Sequence, residues 1–449
     1  MNTKTLKLRD IRDNNLKKIS DLIIDTDIGL ILDIKQVPRF ACDPEFFHFS
    51  GKAANTSAFS TEKNFCNSGG ASVSRDLAIS KSIGEAVERY ASAIFDIDSL
   101  PLCTYNEADF PCVHPDKFAL YGRDQYMRED FKFVPFNADT PVRWTEVIDM
   151  LNEETVFVPA AAVYMPYYYY QGTGDSPILQ PISTGLACHG SFTNAAISAI
   201  SEVIERDAVM ICWQAQLSMP QIRIETLSDS NYEIVKRLEK NGSKLVMLDI
   251  TLDHGVPTIL SILVSDNPES PALIFAGAAD PDPERAVCKS LEELPHTRRY
   301  CSRLMSYSPT FQAEFPDHAN VTDQAEHLHF YCDHGNAHYA DFIFKSNKRK
   351  SFDEINSLAG ESTKGTLNNL LQAVNNIGES IYLKDLTSAD VKELGLFVIR
   401  AVLPGFQRLS MGYINRQLGG RRLWTLPQKL GFNGINRETG DNPAPHPYP

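Results

Sequence analysis

Apolar residues recur at helical spacing in two stretches of the chain. Ile79, Ile83, Ala86, Val87, Tyr90 and Ile94 fall on one stripe at about 100° per residue, which predicts an amphipathic helix over 75–94. Ile197, Ile200, Val203, Ile204 and Ile211 do the same and predict a helix over 194–212. Runs at 244–251 and 258–266 are rich in β-branched residues and predict strands, with further strand candidates at 22–32, 156–164 and 273–279. A helix over 366–377 precedes a buried strand at 394–402. A third long helix opens at Asp280, where Pro281 and Pro283 suit a first turn, and Pro295 is expected to end or kink it near Leu294. Small-residue stretches at 67–72 and 185–190 read as turns, and 38–50 and 166–181 as loops. Strands and helices mix without strict alternation, so the fold class expected is α/β (mixed α+β) with a mixed sheet.

The polar faces of the two amphipathic helices echo each other. The first carries Ser82, Glu85, Glu88 and Arg89, and the second Glu202, Glu205 and Arg206. Counted from Ile83 or Ile200, each helix places Glu at +2, Glu at +5 and Arg at +6, nearly opposite its apolar stripe. One such helix alone reads as a solvated face stapled by Glu–Arg pairs, each contributing a few tenths of a kcal/mol. Two in register change the reading. The third helix adds Glu293 at +2 from Leu291, with Lys289 one turn before it. Five carboxylates lining a polar interior repel each other strongly unless cations fill the space, and hard Mg2+ takes oxygen ligands and bridges phosphates.

Composition sharpens this. The chain of 449 residues carries a net charge of -14, with 43 % hydrophobic and 22 % charged residues, the profile of a globular protein rather than a disordered one. No basic patch dominates, so double-stranded nucleic acid is not an expected partner. An acidic chain can still bind ATP if metal ions offset the charge. No apolar run approaches the roughly 20 residues of a membrane helix, and the polar start gives no signal peptide. The nine cysteines are scattered with no C-x-x-C, which argues against a disulfide framework or zinc module and for a reducing cytoplasm.

These motifs resemble those of the YcaO superfamily, ATP-dependent enzymes that modify peptide backbones. The S-x-x-E-x-x-E-R pattern is present as Ser82, Glu85, Glu88 and Arg89. Gly185, Leu186 and Ala187 followed by Glu202, Glu205, Arg206, Asp207 and Ala208 match a second motif. A third, R-x-x-x-E-x-x-Q, is matched in part by Lys289, Glu293 and His296. The resemblance covers roughly residues 55–449. It implies a YcaO-type fold with an N-terminal segment (1–55), a catalytic domain (56–410) and a C-terminal extension (411–449). It implies Mg2+ ligands Glu85, Glu88, Glu202, Glu205 and Asn194, and ATP contacts by Ser82, Arg89, Arg206, Lys289 and Glu293. His296 is not expected to take the glutamine's place, because Pro295 should break the helix before it.

Pro445, Pro447 and Pro449 resemble the P-x-P-x-P terminus of the azoline-forming branch, where the tail reaches the active site. Alternating proline favours polyproline II and loses little entropy on docking. The resemblance therefore implies a cyclodehydratase of ribosomal-peptide maturation, with Pro449 (through its terminal carboxylate), Arg206 and Lys289 in the catalytic set. The cofactors this implies are ATP and Mg2+. Its substrate is a ribosomal precursor peptide, and its expected partners are a separate E1-like leader-binding protein, a flavin dehydrogenase and a second copy of the chain in a homodimer. The rival expectations are a YcaO-type enzyme forming thioamides or amidines and a non-catalytic nucleotide-binding scaffold.

Other candidates carry less. His327, His329, Cys332, His334 and His338 have zinc-ligand chemistry, but H-x-H is expected on one face of a strand and the run matches no zinc module. Cys188 beside His189 lacks evidence of a base, since adjacency in sequence does not supply one. The aromatic run at 167–170 is expected in an exposed loop or interface, and the basic run at 345–350 in a solvated loop.

Overall fold

A computed structural model of the chain describes residues 4–5, 12–39, 43–240, 242–314, 316, 318–436 and 438–449. Among them the strands form three sheets. The first is antiparallel in the order Lys4–Thr5, Ile31–Gln36, Phe47–Ala53, Asn67–Ser72. The second runs Leu273–Ala279, Thr258–Val264, Lys244–Asp249, Gln221–Ile222, Arg349–Lys350; only its last pair is parallel. The third is antiparallel, in the order Leu102–Cys103, Val142–Asp149, Tyr382–Asp385, Phe397–Val402, Leu186–His189, with Glu154–Pro159 added against Val142–Asp149. Mixed α+β is thus the observed class.

Three long helices tie the sheets together, and each is started by its own sequence. Ser74 caps Arg75–Ala91 and Ser191 caps Phe192–Gln214, each hydroxyl accepting a backbone N–H of the first turn. Asp282 caps Pro283–Tyr307, with Pro283 in the first turn. The first helix packs on the first sheet and reaches Leu186–His189 in the third. The second lies on Phe397–Val402 and Leu186–His189 and also touches Leu273–Ala279. The third packs on Leu273–Ala279 and Thr258–Val264 and touches Asn67–Ser72. The three helices therefore meet where the sheets converge.

Several sequence expectations need correction. The stretch 67–72 is the strand Asn67–Ser72, and Leu186–His189 is a strand within the stretch read as a turn. Their small residues serve close packing. A Cβ on Gly70 would stand 2.1 Å from the Ala78 carbonyl oxygen, so only glycine lets the first helix lie flush on the sheet. Part of the loop expected at 38–50 is the start of Phe47–Ala53, and the strand expected at 22–32 is instead the end of the helix Asn14–Ile23 followed by the start of the strand Ile31–Gln36. The third helix does not break at Pro295 but runs on to Tyr307. Leu291, Leu294 and Cys301 are fully buried in one apolar cluster on both sides of the proline, and that packing outweighs the one lost backbone hydrogen bond. The His-rich run lies on the helix Gln324–Cys332 and a following 3-10 turn rather than a strand.

The extension packs into the body. Leu423, Leu426, Ile435, Ala444 and Tyr448 share one core with Trp213, Leu248 and Phe275. No helix among the described residues is long and apolar enough to cross a membrane. The eight described cysteines are free; Cys42 lies outside the described residues.

Candidate active site

The glutamates of the two echoing helices face each other and are held by backbone donors of neighbouring strands. Gly69 N–H donates to Glu85 Oε2 at 2.8 Å, and Cys188 N–H donates to Glu88 Oε1 at 2.8 Å. Gly185 N–H donates to Glu202 Oε2 at 3.1 Å. Gly185 stands at φ 87°, and a Cβ there would meet the Ala401 carbonyl oxygen at 2.5 Å, so the second motif's glycine is required for this bond. Arg89 pairs with Glu85 at 3.3 Å, and Arg206 pairs with Glu205 at 3.3 Å and Glu202 at 3.6 Å. The polar faces thus line an interior instead of facing bulk water.

The cluster is short of positive charge. Burial, then the nearby Glu202 charge, push Glu88 up to about 8. Burial pushes Glu205 up to about 7 and raises Glu202, in both cases against Arg206. Buried carboxylates that repel one another and offer hard oxygen donors have the chemistry a hard divalent cation takes, although among the described residues no three of them stand close enough together to form a ready-made metal cage. The residues therefore fit Mg2+. A pH dependence follows. Folded Glu88 and Glu205 keep protons that the unfolded chain releases near pH 4.5, so this pair costs stability as pH rises from about 4.5 to about 8. Mg2+ with ATP removes that cost. The gain in melting temperature on adding them should be larger at pH 8 than at pH 6, and Glu88→Gln should shrink the difference; thermal melts with and without Mg2+ measure both.

Glu293 of the third helix joins the site, and so does His296. Burial would raise Glu293, but His296, 3.8 Å away, with Lys81 and Arg206, holds it down to about 2. His296 is raised in turn, its desolvation outweighed by Glu293 and Glu85. Its imidazole covers Gly69, where a Cβ would stand 2.8 Å from the ring. The helix's unbroken passage through Pro295 is what brings it there, contrary to the sequence expectation. Lys81, which the sequence reading missed, binds the buried Glu292 at 2.9 Å and lies 3.8 Å from Glu293. Its position directly before Ser82 was the only available signal.

Two expected contacts, those of Ser82 and Lys289, are placed differently. Ser82 is fully buried, and its hydroxyl meets Ser68 Oγ at 3.3 Å between helix and sheet. Lys289 pairs with the buried Asp280 at 2.7 Å, one turn away from Glu293. Asn194 lies two turns before Glu202 on the same helix, its N–H donating to the Ser191 cap. Cys188 serves through its backbone, while burial pushes its thiol well up, away from nucleophilic use. The aromatic run is not simply exposed. Tyr167 is buried and bonds Asp175, and Tyr169 donates to the Leu179 carbonyl; Tyr168 and Tyr170 are outward. The basic run ends in Arg349–Lys350, a short strand, where Lys350 pairs with Asp249 at 2.6 Å.

The tail reaches this site. Its carbonyls are taken in succession by side-chain donors: Trp213 to Ala444 at 3.1 Å, Tyr331 to Pro445 at 2.8 Å, His327 to His446 at 2.9 Å, and Arg206 to Pro449 at 2.5 Å. A polyproline II chain has no internal hydrogen bonds, so its carbonyls are free for this use. His327, from the supposed zinc run, thus serves as a tail ligand. Tyr448 donates to Glu205 at 2.6 Å.

Asp207, next to Arg206 in the motif, points the other way. It is fully buried, bonded to Arg422 at 2.8 Å and to the Gln407 N–H at 2.6 Å, and Arg422 also holds Asp253 at 2.9 Å. Asp207→Ala leaves Arg422 under-compensated and should cost about 3–5 kcal/mol, read by denaturant unfolding.

Known proteins share this fold. An uncharacterized protein of Methanothermobacter thermautotrophicus is 26 % identical over 360 residues, covering 79 % of this chain and 84 % of that one. A structure described as a heterocyclase in complex with substrate and cofactor superposes with TM-score 0.77 at 19 % identity, over 100 % of this chain and 59 % of its own. The chain thus spans about three fifths of that heterocyclase's length. The E. coli microcin synthetase McbBCD complex with pro-MccB17 bound gives TM-score 0.60 at 14 % identity, over 94 % of this chain and 99 % of the matched one. The family pattern described as YcaO cyclodehydratase, ATP- and Mg2+-binding, matches residues 69–407, well over half of the sequence. The chain belongs to the YcaO cyclodehydratase family.

Proposed function

We propose that the protein is an ATP-dependent peptide cyclodehydratase. The side chain of a Cys, Ser or Thr in a ribosomal precursor adds to the preceding backbone carbonyl. The oxygen of the resulting cyclic hemiorthoamide takes the γ-phosphate of ATP, releasing ADP, and leaves as phosphate while the amide nitrogen gives up its proton, so that a C=N bond forms and the ring becomes a thiazoline or oxazoline. The observation that carries this reading is the meeting of the second acidic helix with the proline-rich tail at Arg206, which touches Glu202, Glu205 and the Pro449 oxygen together, beside Glu88 of the first helix. Mg2+, when bound, neutralises phosphate charge and orients the transfer.

The chain's own residues supply the rest. Glu85, Glu88, Glu202, Glu205 and, from the start of the second helix, Asn194 hold the cations. Arg89 and Arg206 balance phosphate charge, and Glu293 lies beside them with Lys81 and His296. Lys289 reaches phosphate only by leaving Asp280, and Ser82 supports the site from beneath through Ser68. Pro449, held by Arg206, would supply a polar group to the reacting amide. The partners that go with this reading are an E1-like leader-binding protein, a flavin dehydrogenase for oxidation to azoles and a second copy of the chain, in the cytoplasm. The multi-protein make-up of the microcin synthetase, solved with pro-MccB17 bound, supports partners of this kind.

The test combines the protein, an E1-like partner, Mg-ATP and a Cys/Ser/Thr-rich precursor. Azoline formation removes the mass of one water per ring and releases ADP and phosphate. Exchange of oxygen for sulfur in the product would instead mark thioamide formation. Mg-ATP binding with no turnover in the complete mixture would mark a scaffold.

A further inference from the structure

We propose that Tyr448 is a positioning residue for the cation site, and that its phenol sets the orientation of the Glu205 carboxylate. Its hydroxyl is fixed on both sides. It accepts the Gly277 N–H at 2.9 Å and donates to Glu205 Oε1 at 2.6 Å. Because the Gly277 N–H can only donate, the phenolic proton is directed at Glu205. The ring lies under the Arg206 guanidinium, 4.7 Å from its centroid, and Tyr448 is 2 % exposed.

The seat is built for this group. Gly277 sits in the middle of the strand Leu273–Ala279, and a Cβ there would stand 2.7 Å from the Tyr448 hydroxyl. Strand glycine without a turn to make marks close approach by another group. Glu205 Oε1 is shared by Tyr448 and Arg206, and its Oε2 has no protein partner among the described residues. One oxygen fixed by the protein and the other left free is the pattern of a metal-binding carboxylate oriented by outer groups. A tail that was merely anchored would not need this bond. The carbonyls of Ala444, Pro445, His446 and Pro449 already hold it through Trp213, Tyr331, His327 and Arg206.

The inference rests on the reading of this cluster as a cation site, and its test separates the two. Tyr448→Phe removes one oxygen and keeps the ring under Arg206. Mn2+ binding to the purified chain is followed by electron paramagnetic resonance, without nucleotide or peptide, so catalysis is not the readout. The parent should bind Mn2+, and Tyr448→Phe should bind it about tenfold more weakly. Hydrogen exchange of the peptide spanning 442–449 should remain as slow as in the parent, and the melting temperature should stay close. Equal Mn2+ affinity in parent and variant overturns the role of Tyr448 alone. So does weakened binding accompanied by fast exchange of the tail, since the residue would then only seat the tail. A parent that binds no Mn2+ overturns the cation site and this role with it.

Discussion

Glu202→Gln should abolish ATP turnover while leaving the protein folded. Glu202 receives the Gly185 N–H, pairs with Arg206 and faces Glu88, so it stands between the two acidic helices. Glutamine keeps the shape and one acceptor oxygen but removes the charge a hard cation needs. Losing about 4 kcal/mol of charge stabilisation in the transition state corresponds to a loss of about 10³-fold in rate. Stability moves the other way. The Glu202 charge is one reason Glu88 is pushed up to about 8, so removing it relieves repulsion in the cation-free protein. The variant should melt no lower than the parent without Mg2+ and should gain less when Mg-ATP is added. Turnover assays and melts of the same preparation check both. A variant that turns over ATP normally would remove Glu202 from the cation site; one that unfolds would make it a structural residue.

The site was more legible in the sequence than the strands around it. A repeat of Glu, Glu and Arg at fixed offsets from an apolar residue survives any shift in helix boundaries, because it depends only on helical periodicity. It led correctly to facing interior surfaces. Asn67–Ser72 and Leu186–His189 were hidden because their small residues mimic turn chemistry. The pressure on those positions comes from a helix packed flush on Gly70 and from the positive φ of Gly185, neither of which a local pattern reveals. Pro295 misled for a related reason. Local propensity stops a helix there, yet apolar packing on both sides continues it and carries His296 into the site. The partners of Lys289 and Lys81 depend on Asp280 and Glu292, one choice among many carboxylates, and only the folded arrangement selects them.

Deleting residues 445–449 should remove ring formation far more completely than nucleotide binding. The deletion takes away the Pro449 oxygen at Arg206 and the Tyr448 hydroxyl at Glu205. It leaves Glu85, Glu88, Glu202 and Arg89 with their own partners on the helices and strands. ATP affinity should therefore fall by about tenfold, the effect of loosening one carboxylate of several. Cyclisation should fall by about 10²-fold or more, because a misplaced group at the reacting centre costs that much by orientation alone. The truncated chain also loses the bonds from Tyr331 and His327 and uncovers Trp213 and Phe275, so it should melt a few degrees lower. Adding Mg2+ in excess should recover ATP binding without recovering rings, since saturation restores the cation but not the Pro449 oxygen. Product mass and nucleotide binding measured side by side decide it: truncated protein that closes rings at the parent rate would make the tail a packing element only.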